Sequence, residues 1–441
     1  MKNVRFHCRL PLAKAACAIA LVFAASGPAL AEQPNSARIA DLERKLERSL
    51  MLIEGLTAKV KQLETAGTPK SVAPADSGEL SATVAKQSAR IEGIELQVSQ
   101  FGAGMGSRFG ANEGVSLHGF ADVSAGWNSK GDPKGFNVGS LGFYLTPQFG
   151  ANVKSLVELV FEFDAEGHLA TDLERVQLGY TFSDAATVWM GRFHTPYGYW
   201  NTGYHHGKQI QTSLNRPQFI NFEDRGGILP SHTVGVWGAG AIRMGDGKLS
   251  YDLFLGNSPK ISSNVLNMNN SGTTRQNMMA GVNLGYGFSG NLEGLKLGAH
   301  GLRGTVNDDV APFNTTTLNM LGGYAVYDRD DWEGLAEYYH FNNKDVSGGT
   351  GSHRSWASFV QLGRNMGSWT PYGRFEKTRL DQKDNYFSQQ AAGFSYTRQV
   401  LGLRYDLDPK AAVTLEVNRT RVADRAPESY NEAQVQYAIR F

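Results

Sequence analysis

Cysteine is nearly absent: the 441 residues hold two, Cys8 and Cys17. Both fall in a segment that reads as a secretory signal. Lys2, Arg5, Arg9 and Lys14 give it a basic start, an apolar run passes through Leu21, Val22 and Phe23, and Ala29-Leu30-Ala31 is a small-x-small cleavage site. Residues 1–31 are therefore expected to be removed, leaving Glu32 as the first mature residue and a chain without thiols, disulfides or cysteine metal sites. A lipoprotein reading of Cys17 conflicts with Lys14, which stands where an apolar residue is expected, and with the apolar run continuing past the cysteine.

An excess of either charge is also missing, with Lys+Arg 43 against Asp+Glu 42. This balance provides no global field for nucleic acid, so any charge selectivity must be local. Beyond the signal no apolar stretch approaches the ~18 to 20 residues of a membrane helix. That excludes an inner-membrane helical protein but not a transmembrane barrel, whose strands alternate outward apolar with inward polar residues and average out as hydrophilic. The composition fits a barrel, with 51 glycines and 11 % aromatics.

Two helical stripes follow the signal. Ile39, Leu42, Leu46, Ile53, Leu56, Val60 and Leu63 fall on a 3-4 spacing, and so do Leu80, Val84, Ile91, Ile94, Val98 and Phe101. Gly67, Pro69, Pro74 and Gly78 break the helix between them. Arg38, Ile39, Leu42 and Glu43 share one pattern with Arg90, Ile91, Ile94 and Glu95: arginine precedes an apolar a position and glutamate follows an apolar d position. This lets Arg and Glu pair between chains and favours a trimeric coiled coil over residues 32–101. The alternative is an amphipathic helix lying on its own barrel.

After a Gly-rich hinge at 102–114 the periodicity changes from helical to alternating. About sixteen strands are expected, near 115–127, 135–148, 152–164, 172–182, 186–194, 231–243, 247–257, 276–287, 294–306, 316–328, 332–343, 354–365, 368–379, 394–407, 411–422 and 430–441. The last is the clearest: Val435, Tyr437, Ile439 and Phe441 share one face, opposite Gln434, Gln436, Ala438 and Arg440. Connections alternate between tight ones, such as 182–185 and 406–409, and long ones at 194–230, 258–275, 307–315, 342–353 and 380–393. Short inner turns alternating with longer outer loops separate a membrane barrel from a soluble sheet. The expected fold class is thus an all-β transmembrane antiparallel barrel of about 16 strands, preceded by a periplasmic α-helical coiled coil.

Signal, coiled coil, alternating strands and terminal Phe441 together resemble the trimeric porins of Gram-negative bacteria. The chain is similar above all to porins with an N-terminal coiled coil, such as DcaP-like channels, and to phosphate-selective porins. The resemblance implies a homotrimer in the outer membrane, in contact with its lipid, the coiled coil in the periplasm, and passive passage of small polar solutes. It also implies that Tyr437, Ile439 and Phe441 are the signal read by the barrel-assembly machinery. Peptidoglycan is a further expected partner of the coiled coil, and no cofactor, metal or nucleic acid is expected.

The third outer connection, 194–230, is the longest and is dense in aromatics and histidines. Loops of this length are usually functional or disordered, and its aromatics argue against disorder. In the resembled family this loop folds inward and narrows the pore, and a narrow neck selects by diameter and fixed charge. Lys208, Arg216 and Arg225, opposed by wall residues Arg192, Arg374 and Arg404, would favour anions. Glu158, Glu162, Glu223 and Asp224 would favour cations, or pair with those arginines and cancel them. The resemblance tips the expectation toward anions. His194, His205, His206 and His232 lack a metal-ligand spacing and read as hydrogen-bonding loop or lumen residues, with pH-dependent gating as the functional alternative. Trp127, Trp189, Trp237, Trp332, Trp356 and Trp369 are expected in interfacial girdles, with the subunit contact as the alternative for some, and Asp328 to Asp331 in a solvated periplasmic turn.

Two other classes compete with the channel. A barrel enzyme lacks support, since there is no Gly-x-Ser-x-Gly elbow. A structural anchor, with the coiled coil linking outer membrane to cell wall, is the alternative function. A large energised transporter would need about twenty-two strands and a folded plug.

Overall fold

A computed structural model describes residues 115–130, 135–147, 149–163, 168–204, 207–223, 225–268, 277–309, 313–423 and 429–441. The expected signal, coiled coil and hinge lie outside these residues, as do His205, His206 and Asp224.

Alternating side chains produce a closed antiparallel barrel of 16 long strands. They are β1 (Val115–Asn128), β2 (Gly135–Pro147), β3 (Val153–Phe163), β4 (Leu169–Ser183), β5 (Ala186–His194), β6 (His232–Met244) and β7 (Gly247–Asn257). A short hairpin, β8 (Lys260–Ser262) and β9 (Val265–Asn267), sits in the next connection. There follow β10 (Met278–Gly287), β11 (Leu295–Asp308), β12 (Thr315–Arg329), β13 (Trp332–Asp345) and β14 (Ser352–Arg364). The wall is completed by β15 (Trp369–Arg379), β16 (Tyr396–Asp408), β17 (Ala411–Val422) and β18 (Ser429–Arg440).

Each long strand pairs with its neighbours in sequence, β7 with β10 across the hairpin, and β18 closes on β1 from Phe120↔Arg440 to Asn128↔Glu432. Closure satisfies every strand edge, which a bilayer demands. The closing strand shows the expected division of faces. Val435, Tyr437 and Phe441 are exposed outward while Gln436 and Ala438 are buried inward, and the Phe441 ring packs on Phe143 at 5.9 Å.

Val115, Phe441 and the tight turns share one end of the barrel, and the longer connections share the other. At the turn end, Asp330 (φ 52°) and Asp331 (φ 63°) are both left-handed and join Arg329 to Trp332. Two positive φ angles are what a two-residue hairpin turn with the twist of its strands requires.

Two of the expected girdle tryptophans belong elsewhere. Trp127, Trp332 and Trp369 are exposed on the outside, and Trp356 is half-buried there. Trp189 and Trp237 instead face the lumen, buried and stacked 5.9 Å apart. Around Trp189, residues of both strand faces are apolar, so alternation alone does not say which face turns outward.

Candidate functional site: a loop fixed across the lumen

The connection between β5 and β6, residues 195–231, folds into the barrel. Half-way round a sixteen-strand wall from β5 and β6 stand β15 and β16, and the loop is bonded to both, so it spans the lumen. It holds one helical turn, α1 (Trp200–Gly203), and 3₁₀ turns at Lys208–Ile210 and Gln218–Ile220.

A buried loop must find partners for its backbone groups. Inward carboxylates of the wall accept its N–H groups. Glu337 of β13 accepts from Tyr199 (3.2 Å) and Trp200 (2.6 Å). Glu376 of β15 accepts from Gln218 (2.8 Å), and Glu416 of β17 accepts from Leu214 (3.1 Å) and from the Asn215 amide (2.9 Å). The hydroxyls of Tyr372 and Tyr396 accept from Leu214 and Phe219, each at 3.1 Å. Gly198 (φ 62°) permits the approach at Glu337: a Cβ there would stand 2.3 Å from Glu337 Oε2 and 2.5 Å from the Tyr339 hydroxyl.

Wall arginines serve the loop's oxygens. Arg374, paired with Glu376 at 2.9 Å, donates to Ser213 Oγ and the Asn215 carbonyl, both at 2.8 Å. Arg404, paired with Asp406 at 2.7 Å, donates to the Gln211 carbonyl at 2.5 Å. Gln209 reaches the carbonyl of Pro409, in the β16–β17 turn, at 3.0 Å. The loop therefore descends to the turn end of the barrel.

Arg216, nominated as a pore charge, is buried within the loop. It donates to Ile220 O (3.0 Å), Tyr204 O (3.1 Å) and Asn201 Oδ1 (2.9 Å), joining three parts of the loop. Burial pushes its pKa down to about 10, so it stays charged at neutral pH. Lys208 is half-buried and donates to Leu214 O at 3.2 Å, and burial lowers its pKa as well.

Apolar packing completes the seat. Tyr197, Trp200, Phe219, Ile220, Ile228 and Leu229 of the loop are buried against Trp189, Phe193, Trp237 and Phe254, and against Leu318, Tyr339, Phe341, Ala357 and Phe359 farther round the wall. The connection 380–395 adds a second insert. There Asp384 caps α2 (Asn385–Ser388) by accepting from Tyr386 N at 2.9 Å, and the Tyr386 hydroxyl donates to Ile228 O at 2.6 Å. This connection had been given no role from sequence.

The remaining candidates meet where the loop leaves and rejoins the wall. Arg175 pairs with Glu158, and His194 Nε2 lies 3.9 Å from the same carboxylate. Arg192 (3.4 Å) and His232 (2.9 Å) share Glu174, and Glu223 of the loop meets His232 at 3.3 Å. Burial alone would raise the Glu223 pKa, but the His232 beside it outweighs burial and the net shift is downward. Arg225 of the loop pairs with Glu162 of β3, and that arginine is the exposed partner.

Glu158, Glu162, Arg192, His194, Glu223 and Arg225 are thus brought together, while Arg374 and Arg404 lie opposite and Arg216 and Lys208 within the loop's own bonding. Sequence reasoning missed Glu174 and Arg175, and also the wall acceptors Glu337, Glu376 and Glu416. All three acceptors stand at inward positions of strands that were correctly expected, and that pattern is the signal that marks them.

No protein-family model and no curated protein sequence matches the chain. Solved structures do. The anion-selective porin from Comamonas acidovorans is similar at 14 % identity and TM-score 0.53, over 74 % of this chain and 99 % of that one. Salmonella typhi OmpF, in complex with daunomycin, is similar at 13 % and 0.50 over 75 % and 99 %. The outer membrane channel DcaP of Acinetobacter baumannii, at 12 % identity over 76 % and 99 %, has a TM-score of 0.48, too low to bear on the fold. The fold is that of the outer-membrane porins.

Proposed function

We propose that the chain is a passive diffusion channel for small polar solutes, constricted by residues 195–231, and that it is not an enzyme. The observation that carries this reading is the fixing of that loop from β5 and β6 to the opposite wall. A loop bonded at so many points is a permanent part of the pore rather than a lid.

The passage runs off-centre. Aromatic packing fills the β5–β14 side, whereas the edge of the loop at Asn215, Gln218, Asn221 and Arg225 is polar and partly exposed. The facing wall there carries Ser124, Asn128, Glu162, Glu432 and Gln434, also partly exposed, and the loop touches it where Asn215 donates to Gln434 at 2.6 Å and Arg225 pairs with Glu162, so the open path runs beside these two contacts. A water-filled path along β18 and β1–β3 follows. Arg374, Arg404 and Arg216 are buried in holding the loop, so selectivity falls to the more exposed Arg225, Arg192 and Lys208. Because Glu162 and Glu174 offset two of these, the preference for anions is weak. The protein acts as a homotrimer held by its N-terminal coiled coil, with the longer connections facing outward.

Reconstituted into planar bilayers, the full chain should give conductance in steps of three. Reversal potentials across a salt gradient should move toward cations in Arg225→Gln. A barrel that conducts no ions would reject the channel, and an unchanged reversal potential would reject the assigned neck.

A further inference from the structure

The outward face is not uniform around the barrel. On β14–β17 the apolar band is formed by Val360, Leu362, Phe375, Leu401, Leu415 and Val417, all exposed. Immediately toward the loop end the same outward positions become basic: Arg354 on β14, Lys377 and Arg379 on β15, Arg419 and Arg421 on β17.

The register sets these cations side by side. Val360, Phe375, Gln399 and Arg419 occupy one row across the sheet, and Ser358, Lys377, Thr397 and Arg421 the next. Trp356 and Arg379 follow, and Arg354 stands opposite Asn342 above them. Strands lie ~4.8 Å apart, so the five cations fall within roughly 15 Å across the sheet. None has an ion-pair partner among the described residues, and no acidic residue occupies an outward position in the loop-end half of β13–β17. Lys377 Nζ lies 5.9 Å from the Trp356 ring, which stacks on Tyr338 at 6.3 Å.

We propose that this face binds the phosphate-bearing headgroup of a lipid in the surrounding leaflet. Five unpaired cations directly above an apolar band sit where acyl chains end and headgroup phosphates begin. The Tyr338–Trp356 platform supplies an amphipathic surface at that same level. The acyl chains lie along Val360, Phe375, Leu401 and Val417 while the cations take the phosphates. Soluble anions lack the apolar half of this match, and a path through the lumen would not use outward side chains.

The test is native mass spectrometry of the full-length protein with a diphosphorylated glycolipid, lipid A, and with the same lipid after phosphatase treatment. Wild type should retain the phosphorylated form and lose the dephosphorylated one. The variant Arg354→Gln/Lys377→Gln/Arg379→Gln/Arg419→Gln/Arg421→Gln should lose roughly fivefold in retention per removed cation. Arg243→Gln/Lys248→Gln/Arg329→Gln, at the turn end, should behave as wild type. If the fivefold variant does not fold, as read by heat-modified gel mobility, Lys377→Gln/Arg379→Gln carries the test with a correspondingly smaller loss. Equal retention in wild type and variant, indifference to the phosphates, or displacement by millimolar inorganic phosphate would overturn the assignment.

Discussion

The two sides of the lumen solve the same problem by different means. On the β5–β14 side the loop is held mainly by burial, with Glu337 accepting two of its N–H groups: Tyr197, Trp200, Phe219, Phe341, Phe359 and Phe387 are almost wholly removed from solvent. On the β15–β18 side it is held by charge-assisted hydrogen bonds donated by Arg374 and Arg404 and accepted by Glu376 and Glu416. Both contacts exclude water, since Arg374, Glu376 and Glu416 are themselves buried, but beyond the polar one the edge of the loop at Gln218, Asn221 and Arg225 stays partly exposed. The proposed passage therefore lies beyond the polar contact, along that partly exposed edge.

Breaking the apolar side should have the largest effect. Trp200→Ala removes a fully buried ring that meets Phe359 at 5.7 Å, and should cost about 3–5 kcal/mol. The readouts are a lower temperature of heat-modified gel mobility and a larger, noisier single-channel conductance. Next comes the hinge between the two sides: Gly198→Ala drives a Cβ into Glu337 and Tyr339 at a left-handed backbone position, costing about 1–3 kcal/mol. Limited proteolysis within 195–231 should rise in proportion.

On the polar side, Glu416→Ala leaves the Leu214 N–H and the Asn215 amide without this acceptor, costing about 1–3 kcal/mol. Its signature is changed conductance with little change in barrel stability. The smallest effect is one of pH. Because the Glu223 pKa lies below its ordinary value of 4.5, its contribution is present above that value and is lost as pH falls through the lowered one. Cleavage near residue 223 should therefore increase on acidification in wild type, and Glu223→Gln should lack that component.

Much of the wall was legible because one rule, alternation, is repeated sixteen times. β5 falls on its expected bounds of 186–194, and Glu158 and Glu162 stand inward as their spacing required. Alternation labels two faces without saying which is wet, and Trp189 and Trp237 went to the wrong one. For the loop, composition identified a functional segment but not the fate of its charges. Arg216 and Arg374 differ from Arg225 in being buried and bonded to loop carbonyls, such as those of Tyr204 and Asn215, and no local pattern encodes those contacts. Glu337, Glu376 and Glu416 escaped notice for the same reason, since their value lies in the backbone that comes to meet them.

The off-centre passage is tested most directly by single cysteines, introduced one at a time into a chain whose only native cysteines are Cys8 and Cys17. A charged thiol reagent should react with Ser124→Cys and Gln434→Cys and reduce the single-channel current, while leaving Leu318→Cys and Ala357→Cys unmodified. Current block through Leu318→Cys or Ala357→Cys, with Ser124→Cys and Gln434→Cys silent, would contradict the account.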